Sequence, residues 1–524
     1  MDQVSVLAAS GHPLQRAGAW AVAVLAGCPT PEAVGPDGLD AVVAGLVADV
    51  VAAATASKDA SRYDWWKVLF ALYPNSKATH SKRPSDARVL RPAIEEMFAP
   101  DAPGAGAVWP CTFCGAASAV VWSKANLPLF DTAKALNNLP PRLAGWPVCR
   151  GCRVAMWALP YGAWVTAGSA SVLSCESPDA EREFARRNVG RARKLMQTGF
   201  NALQAGAKPE QVVLAALRDA GGGLCASTLW SFKNDNQEPW LRVTRTRRAV
   251  PVFLERVDGN APLRRGWRLL CRSLDRYNPD TGRITGGRGA AARLVFEAED
   301  GRSRPLLGQV HRLLSDTDAA LPPGDRRALG ALATAYAKEV FGMDVDVEPV
   351  ARVLAEWIAR GTSPRGRLAE YRSAALNDYR LGMLLVQAHF RLQLDGAQVQ
   401  AAGPEAWKPL IGRRSRAWEL RMLLFARVCE LLQERGVAVG ADPASKDEAE
   451  DEVEDGPVSA RPGLSVPARL DPAALPCPAL PRPGRVRPRP VRRSVARTAS
   501  CSDPGGPVRV SVHRVAGGCV TDCL

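Results

Sequence analysis

Three observations place this chain in the α+β class. Apolar residues in the first hundred positions recur at helical spacing. Two Cys-x-x-Cys pairs, Cys111/Cys114 and Cys149/Cys152, then interrupt stretches that read as strands and turns. From Pro323 to Gly436 the apolar spacing is helical throughout. The expected architecture is a mixed N-terminal region with an inserted four-Cys zinc site, followed by a C-terminal α-helical bundle and a disordered tail. In residue ranges this is a mostly helical region over 1–108, a four-Cys zinc-binding module over 109–165 and a basic α+β region over 166–320. The helical bundle follows over 321–436 and the tail over 437–524.

The first region takes its helical reading from Leu39, Val42, Val43, Leu46, Val50 and Val51, set on Ala-rich ground. The aromatic segment from Ser61 to Asn75 reads as core. The Ser-rich, basic stretch from Lys77 to Arg88 reads as an exposed loop, either solvated or touching a phosphate backbone.

The four cysteines carry the most specific signal. Each pair sits on its own turn, with Gly115 after the first and Gly151 inside the second. Two such knuckles supply four thiolates, enough to enclose a tetrahedral zinc. A redox pair would open a helix in a thioredoxin-like βαβ unit, which is not evident here. Catalytic zinc keeps an open position and usually uses His, and no His lies between residues 81 and 310. Beside the knuckles, 119–122 and 155–162 read as apolar strands, so the metal is expected to join two sheet elements.

In the third region, Ala185, Val189, Ala192 and Met196 mark an amphipathic helix over 179–205, with Arg187, Arg191 and Lys194 on its opposite face. Such a face is either solvated or in contact with a nucleic-acid backbone. Residues 226–257 read as a hairpin. Its polar tip holds Asn234, Asn236 and Gln237, with Arg242 off the apolar side; these amides either read base edges or serve only the turn. The stretch 262–304 is the most basic, beginning with Arg264, Arg265 and Arg268. Its Gly286, Gly287 and Gly289 lack the GKS or GKT that a phosphate-binding loop requires.

In the bundle, Val350, Val353, Leu354, Trp357 and Ile358 form one apolar stripe. Leu376, Tyr379, Met383, Val386 and Phe390 form a second, and Leu420, Leu424, Val428 and Leu431 a third. The tail is rich in Pro and Arg after an acidic block, and has too few large apolar residues to offset its chain entropy.

The net charge is +15, and the tail from residue 437 holds 12 basic and 11 acidic residues, so almost all of the excess belongs to the folded part. A polyanionic partner, most simply nucleic acid, follows from that excess. Thirteen cysteines without a disulfide framework fit a reducing compartment. With no signal peptide or membrane span legible, the expectation is a soluble cytoplasmic protein. The sequence has no HExxH, GxSxG or Walker motif, and its five histidines are scattered, so no enzyme is expected.

Three segments, WPCTFCG (109–115), SKANLPLF (123–130) and PVCRGCRVAMWALPYG (147–162), together resemble the large subunit of type I CRISPR Cascade-like effector complexes, in its CXXC–CXXC subfamily. TLWSFKNDNQEPWLRV (228–243) and YRLGMLLVQ (379–387) are similar to the same family more weakly. The resemblance spans roughly residues 1–435. It implies a non-catalytic subunit of an RNA-guided DNA surveillance complex in antiviral defence. Such a subunit binds crRNA and the backbone subunits, contacts the protospacer-adjacent motif of double-stranded target DNA, and helps recruit a helicase-nuclease. It also implies structural Zn2+ on Cys111, Cys114, Cys149 and Cys152. Motif-reading residues do not carry over; Lys124, Asn234, Asn236, Gln237 and Arg242 are the candidates. The alternative is a stand-alone zinc-ribbon DNA-binding or regulatory protein.

Overall fold

The computed structural model describes residues 6–437 apart from 102–107, 131–138, 140–142, 204–206, 235–237, 279–282, 299–305, 317–320 and 413–416. The predicted tail from 438 onward, and the hairpin-tip residues Asn236 and Gln237, lie outside the described residues. The described chain is α+β, as expected, and has 17 α-helices.

Four helices open it: α1 (Pro13–Leu25), α2 (Pro36–Ala54), α3 (Ser61–Leu72) and α4 (Ala87–Phe98). Four two-residue strands follow: β1 (Trp109–Pro110), β2 (Ala117–Ser118), β3 (Val121–Trp122) and β4 (Trp146–Pro147). They pair as β1 with β2 and β3 with β4, both antiparallel. Next comes α5 (Arg150–Gly162), then β5 (Trp164–Val165), β6 (Ala170–Cys175), α6 (Pro178–Thr198), α7 (Pro209–Asp219), β7 (Ser227–Lys233) and β8 (Trp240–Thr246). The basic stretch holds α8 (Val250–Gly259), α9 (Ala261–Ser273), β9 (Arg276–Asn278), β10 (Arg283–Thr285), α10 (Gly287–Arg293) and β11 (Glu297–Ala298). The helical end comprises α11 (Leu306–Ser315), α12 (Pro323–Phe341), α13 (Glu348–Ala359), α14 (Pro364–Ala374), α15 (Asp378–Leu394), α16 (Pro404–Ile411) and α17 (Ala417–Glu434).

The expected hairpin is β7–β8, inside an antiparallel sheet of order β11-β8-β7-β6-β5, but it ends at Thr246, and residues 250–257, read as part of it, belong to α8. This sheet stands between two cores. Side chains alternate along a strand, so Ala170, Val172 and Phe232 join the core built by α1–α5, while Leu173 and Leu229 join the core of the helical end. Helix α6 divides in the same way: Ala180 and Phe184 serve the second core, and Ala185, Val189, Ala192 and Leu195 the first. Ser177 caps α6 by accepting from the Ala180 N–H.

Two further expectations need correction. Residues 155–162, read as an apolar strand and turn, form most of α5. A run without a polar face has no period to separate helix from strand, and Pro160 argued against a helix. The fold accommodates that proline specifically. Pro160 has no N–H to give to the Met156 carbonyl, and the buried Tyr73 hydroxyl donates to that carbonyl instead. The Tyr73 ring stacks on Trp157 with centroids 4.5 Å apart. Helix α1 then lies against α5 backbone to backbone. A Cβ on Gly18 would collide with the Ala155 carbonyl oxygen, and one on Gly162 with that of Ala17.

The second correction concerns α15. Its predicted stripe of Leu376, Tyr379, Met383, Val386 and Phe390 faces solvent, and the buried face is Leu381, Leu384, Ala388 and Leu392. The other two stripes, on α13 and α17, are buried as expected.

Candidate metal centre

The cysteine sulfurs of Cys111, Cys114, Cys149 and Cys152 all lie within 4.8 Å of one another, and Cys114 Sγ is 3.5 Å from Cys149 Sγ. Four thiolates at about 2.3 Å from one metal place their sulfurs at comparable separations. The first pair sits on the turn joining β1 to β2, where the Cys111 N–H donates to Ala116 O and Gly115 takes φ 77°. The second pair heads α5: Cys149 is its N-cap and Cys152 lies in its first turn. Thus the cluster joins a hairpin to a helix start, not two sheet elements. The Thr112 N–H donates to Pro147 O at 2.9 Å and fixes the two knuckles in register.

The surroundings suit a cluster of negative thiolates. The N-terminus of α5 favours anions. The Gln15 amide, fully buried, donates to Cys152 Sγ at 3.5 Å and to Ala8 O at 2.8 Å, and its oxygen accepts from the Ser10 N–H. Arg150 and Arg153, on the first turn of α5, bring two cations close. Arg150 Nε donates to Phe98 O at 2.8 Å, and Arg153 donates to Met97 O and Ala99 O at 2.8 and 2.9 Å and pairs with Asp101. These arginines cap the orphan carbonyls of α4 and tie it to the cysteine turn.

Crowding four thiols divides their acidities. Hydrogen bonding from Cys114, then Cys149 and Cys152, holds Cys111 far below an ordinary thiol. Cys111 pushes Cys114 up, but Cys149 and Cys152 outweigh it and bring Cys114 to about 7. Cys111 is also the leading cause of the upward shifts of Cys149 and Cys152. The four sulfurs cannot all ionise together without a cation between them, and a metal bound there displaces protons. Four thiolates also fill a tetrahedral shell and leave no position for substrate.

The other predicted residues are dispersed. Arg187 pairs with Glu183 at 2.8 Å and with Asp219. Arg191 lies over the Trp164 ring at 3.8 Å, and burial lowers its pKa to about 10. Asn234 is a tether: its amide donates to Leu72 O at 2.7 Å, and its oxygen accepts from the Leu129 N–H at 3.1 Å. Leu129 has φ 68°, so this bond holds a strained turn in the SKANLPLF segment. Lys124, Lys194 and Arg242 are exposed. On α9, Arg264, Arg265, Arg268 and Arg272 share an exposed face opposite Leu263, Gly266 and Leu270. Arg265 pairs with Asp325 at 2.6 Å, whereas Arg264 and Arg268 donate to backbone carbonyls.

Sequence reasoning missed a buried carboxylate. Glu181 accepts from Arg16 Nε at 2.7 and 2.9 Å, from Trp20 Nε1 at 2.7 Å and from the Cys175 N–H at 2.9 Å. It joins α1, β6 and α6, and its partners are 161 or more residues away on one side and six on the other. The sequence shows only a Glu in the first turn of a capped helix.

No helix among the described residues is long and apolar enough to cross a membrane. No protein-family model, curated protein or solved structure matches the chain.

Proposed function

We propose that the chain is a non-catalytic, zinc-clamped large subunit of a CRISPR RNA-guided DNA surveillance complex. It would contact crRNA and the protospacer-adjacent motif of double-stranded target DNA, and help recruit a helicase-nuclease. The observation that carries this reading is the four-thiol cluster set at the head of a buried helix, within a folded part that holds almost all of the +15 charge. The residue types at the cluster favour zinc, because soft thiolates discriminate against hard cations such as Mg2+ and Ca2+. The metal has a structural role here, and the exposed arginine face of α9 supplies contact to phosphates. Lys124 and Arg242 remain candidate contacts; Arg187, Arg191 and Asn234 already serve internal partners, as does Arg265 of α9 through Asp325.

The test is purification of the native protein from its host at moderate salt. The expected result is a multi-subunit particle containing RNA of uniform length, bound through salt-sensitive contacts. An RNA-free monomer favours the second reading, a stand-alone zinc-ribbon DNA-binding or regulatory protein, which the same cluster and the α9 arginines support. Divalent-metal-dependent cleavage by the isolated chain overturns the non-enzymatic assignment.

A further inference from the structure

Helix α15 is apolar on two opposite faces. Leu381, Leu384, Ala388 and Leu392 bind it to the second core, and no further large apolar face is needed for that. Yet Tyr379 is 75% exposed, Phe390 61% and Leu394 81%, and Leu376, Met383 and Val386 are also exposed. Taking a large side chain as about 200 Å2, the exposed fractions of these six amount to roughly 700 Å2. The largest apolar patch on an ordinary monomer is about 300–600 Å2, and a stable dimer buries about 800 Å2 per partner.

The spacing identifies the occupant. On α15, Tyr379, Met383, Val386 and Phe390 follow one another at intervals of four, three and four, the a/d seam of a coiled coil, with Leu376 in the turn just before the helix, and no charged residue lies in the seam. We propose that this seam is a homodimer interface, in which α15 pairs antiparallel with α15 of a second copy about a two-fold axis. The two-fold places Met383 against Val386 of the second copy and Tyr379 against Phe390, each contact occurring twice. Beside Val386 and Phe390 lies a groove of about 370 Å3, walled by Val353, Gly382, His389, Trp407 and Ile411. Tyr379 of the second copy reaches its mouth, at the level of His389 and Phe390, as a knob enters a hole. Gly382 forms part of that wall, where a Cβ would stand in ordinary contact with Ile411 at 3.7 Å.

This inference is independent of the guide-RNA reading. The experiment is sedimentation velocity on the full-length chain, stripped of nucleic acid, at tens of micromolar. The expected species has twice the chain mass. Met383→Glu and Val386→Lys, both at exposed positions, each weaken association at least tenfold while leaving unchanged the melting curve taken at a dilution where the wild-type chain is also monomeric. Mixed together, the two variants dimerise again. The introduced carboxylate of one then faces the introduced ammonium of the other in one layer, and the native Val–Met contact persists in the second layer. A wild-type monomer overturns the proposal, whether the patch stays bare or is covered by another segment or another protein. So does a dimer that either variant leaves intact, or one that mixing fails to restore.

Discussion

Helices α5 and α15 both carry apolar residues on opposite faces, and the fold treats them differently. Twelve consecutive residues of α5, from Gly151 to Gly162, are buried. α15 buries four residues in one row and leaves its opposite row in water. The difference lies in what surrounds them. α5 has α1 against its glycines, Tyr73 under its proline, and the cysteine cluster at its head. α15 packs against α13, α14 and α16, all on its inner side. A helix with apolar residues on opposite faces calls for burial on both, and only one of these two obtains it within a single chain.

Breaking the metal end of α5 has the largest expected effect. Cys149→Ser removes a ligand but leaves a good N-cap residue at the head of α5, where Cys149 itself makes no capping bond, so its effect reports the metal. In four-thiolate sites the metal contributes about 10 kcal/mol or more to folding. The variant is expected to lose its metal by elemental analysis and to melt the first core while far-UV circular dichroism of the helical end persists. A wild-type chain without stoichiometric zinc refutes the clamp. Leu159→Ala, fully buried on α5, is expected to cost about 2–5 kcal/mol by denaturant titration.

A smaller pH effect marks the second core. Burial, with Arg372 nearby, lowers His311 to about 4, and its ring packs edge-on against Phe425 at 4.9 Å. Below about 6.5 the unfolded chain takes up a proton that the fold refuses, so stability falls as pH drops from 6.5 to 4 and is fully present above that window. The loss is at most about 3 kcal/mol, and His311→Gln is expected to flatten the slope. An unchanged slope in the variant assigns the titration to another group. The smallest effect belongs to the bare row of α15: Phe390→Ser is expected to alter the stability of the isolated monomer by less than about 0.5 kcal/mol.

Much of this was legible in the sequence. The four cysteines announced themselves by their doubled Cys-x-x-Cys spacing, although only the first pair lies on a glycine turn and the second heads a helix. The α6 helix and the β7–β8 hairpin showed clean periods, since polar positions interrupt their apolar ones at regular intervals. The failures share a cause. α5 and α15 lack a single polar face, so the pattern could not tell helix from strand in one or the buried row from the bare row in the other. Gln15, Arg153 and Glu181 were invisible for a different reason. Each is an ordinary polar residue whose partners are distant in sequence, and only the packing of α1, α4 and α6 gives it work.

The cluster is also lopsided. Cys111 and Cys152 are buried, at 4% and 1% exposure, whereas Cys114 is open to solvent and Cys149 half so. A metal bound in this cage would be held from within and reached from one side. Chelators, competing ions and oxidants would meet Cys114 before the buried sulfurs.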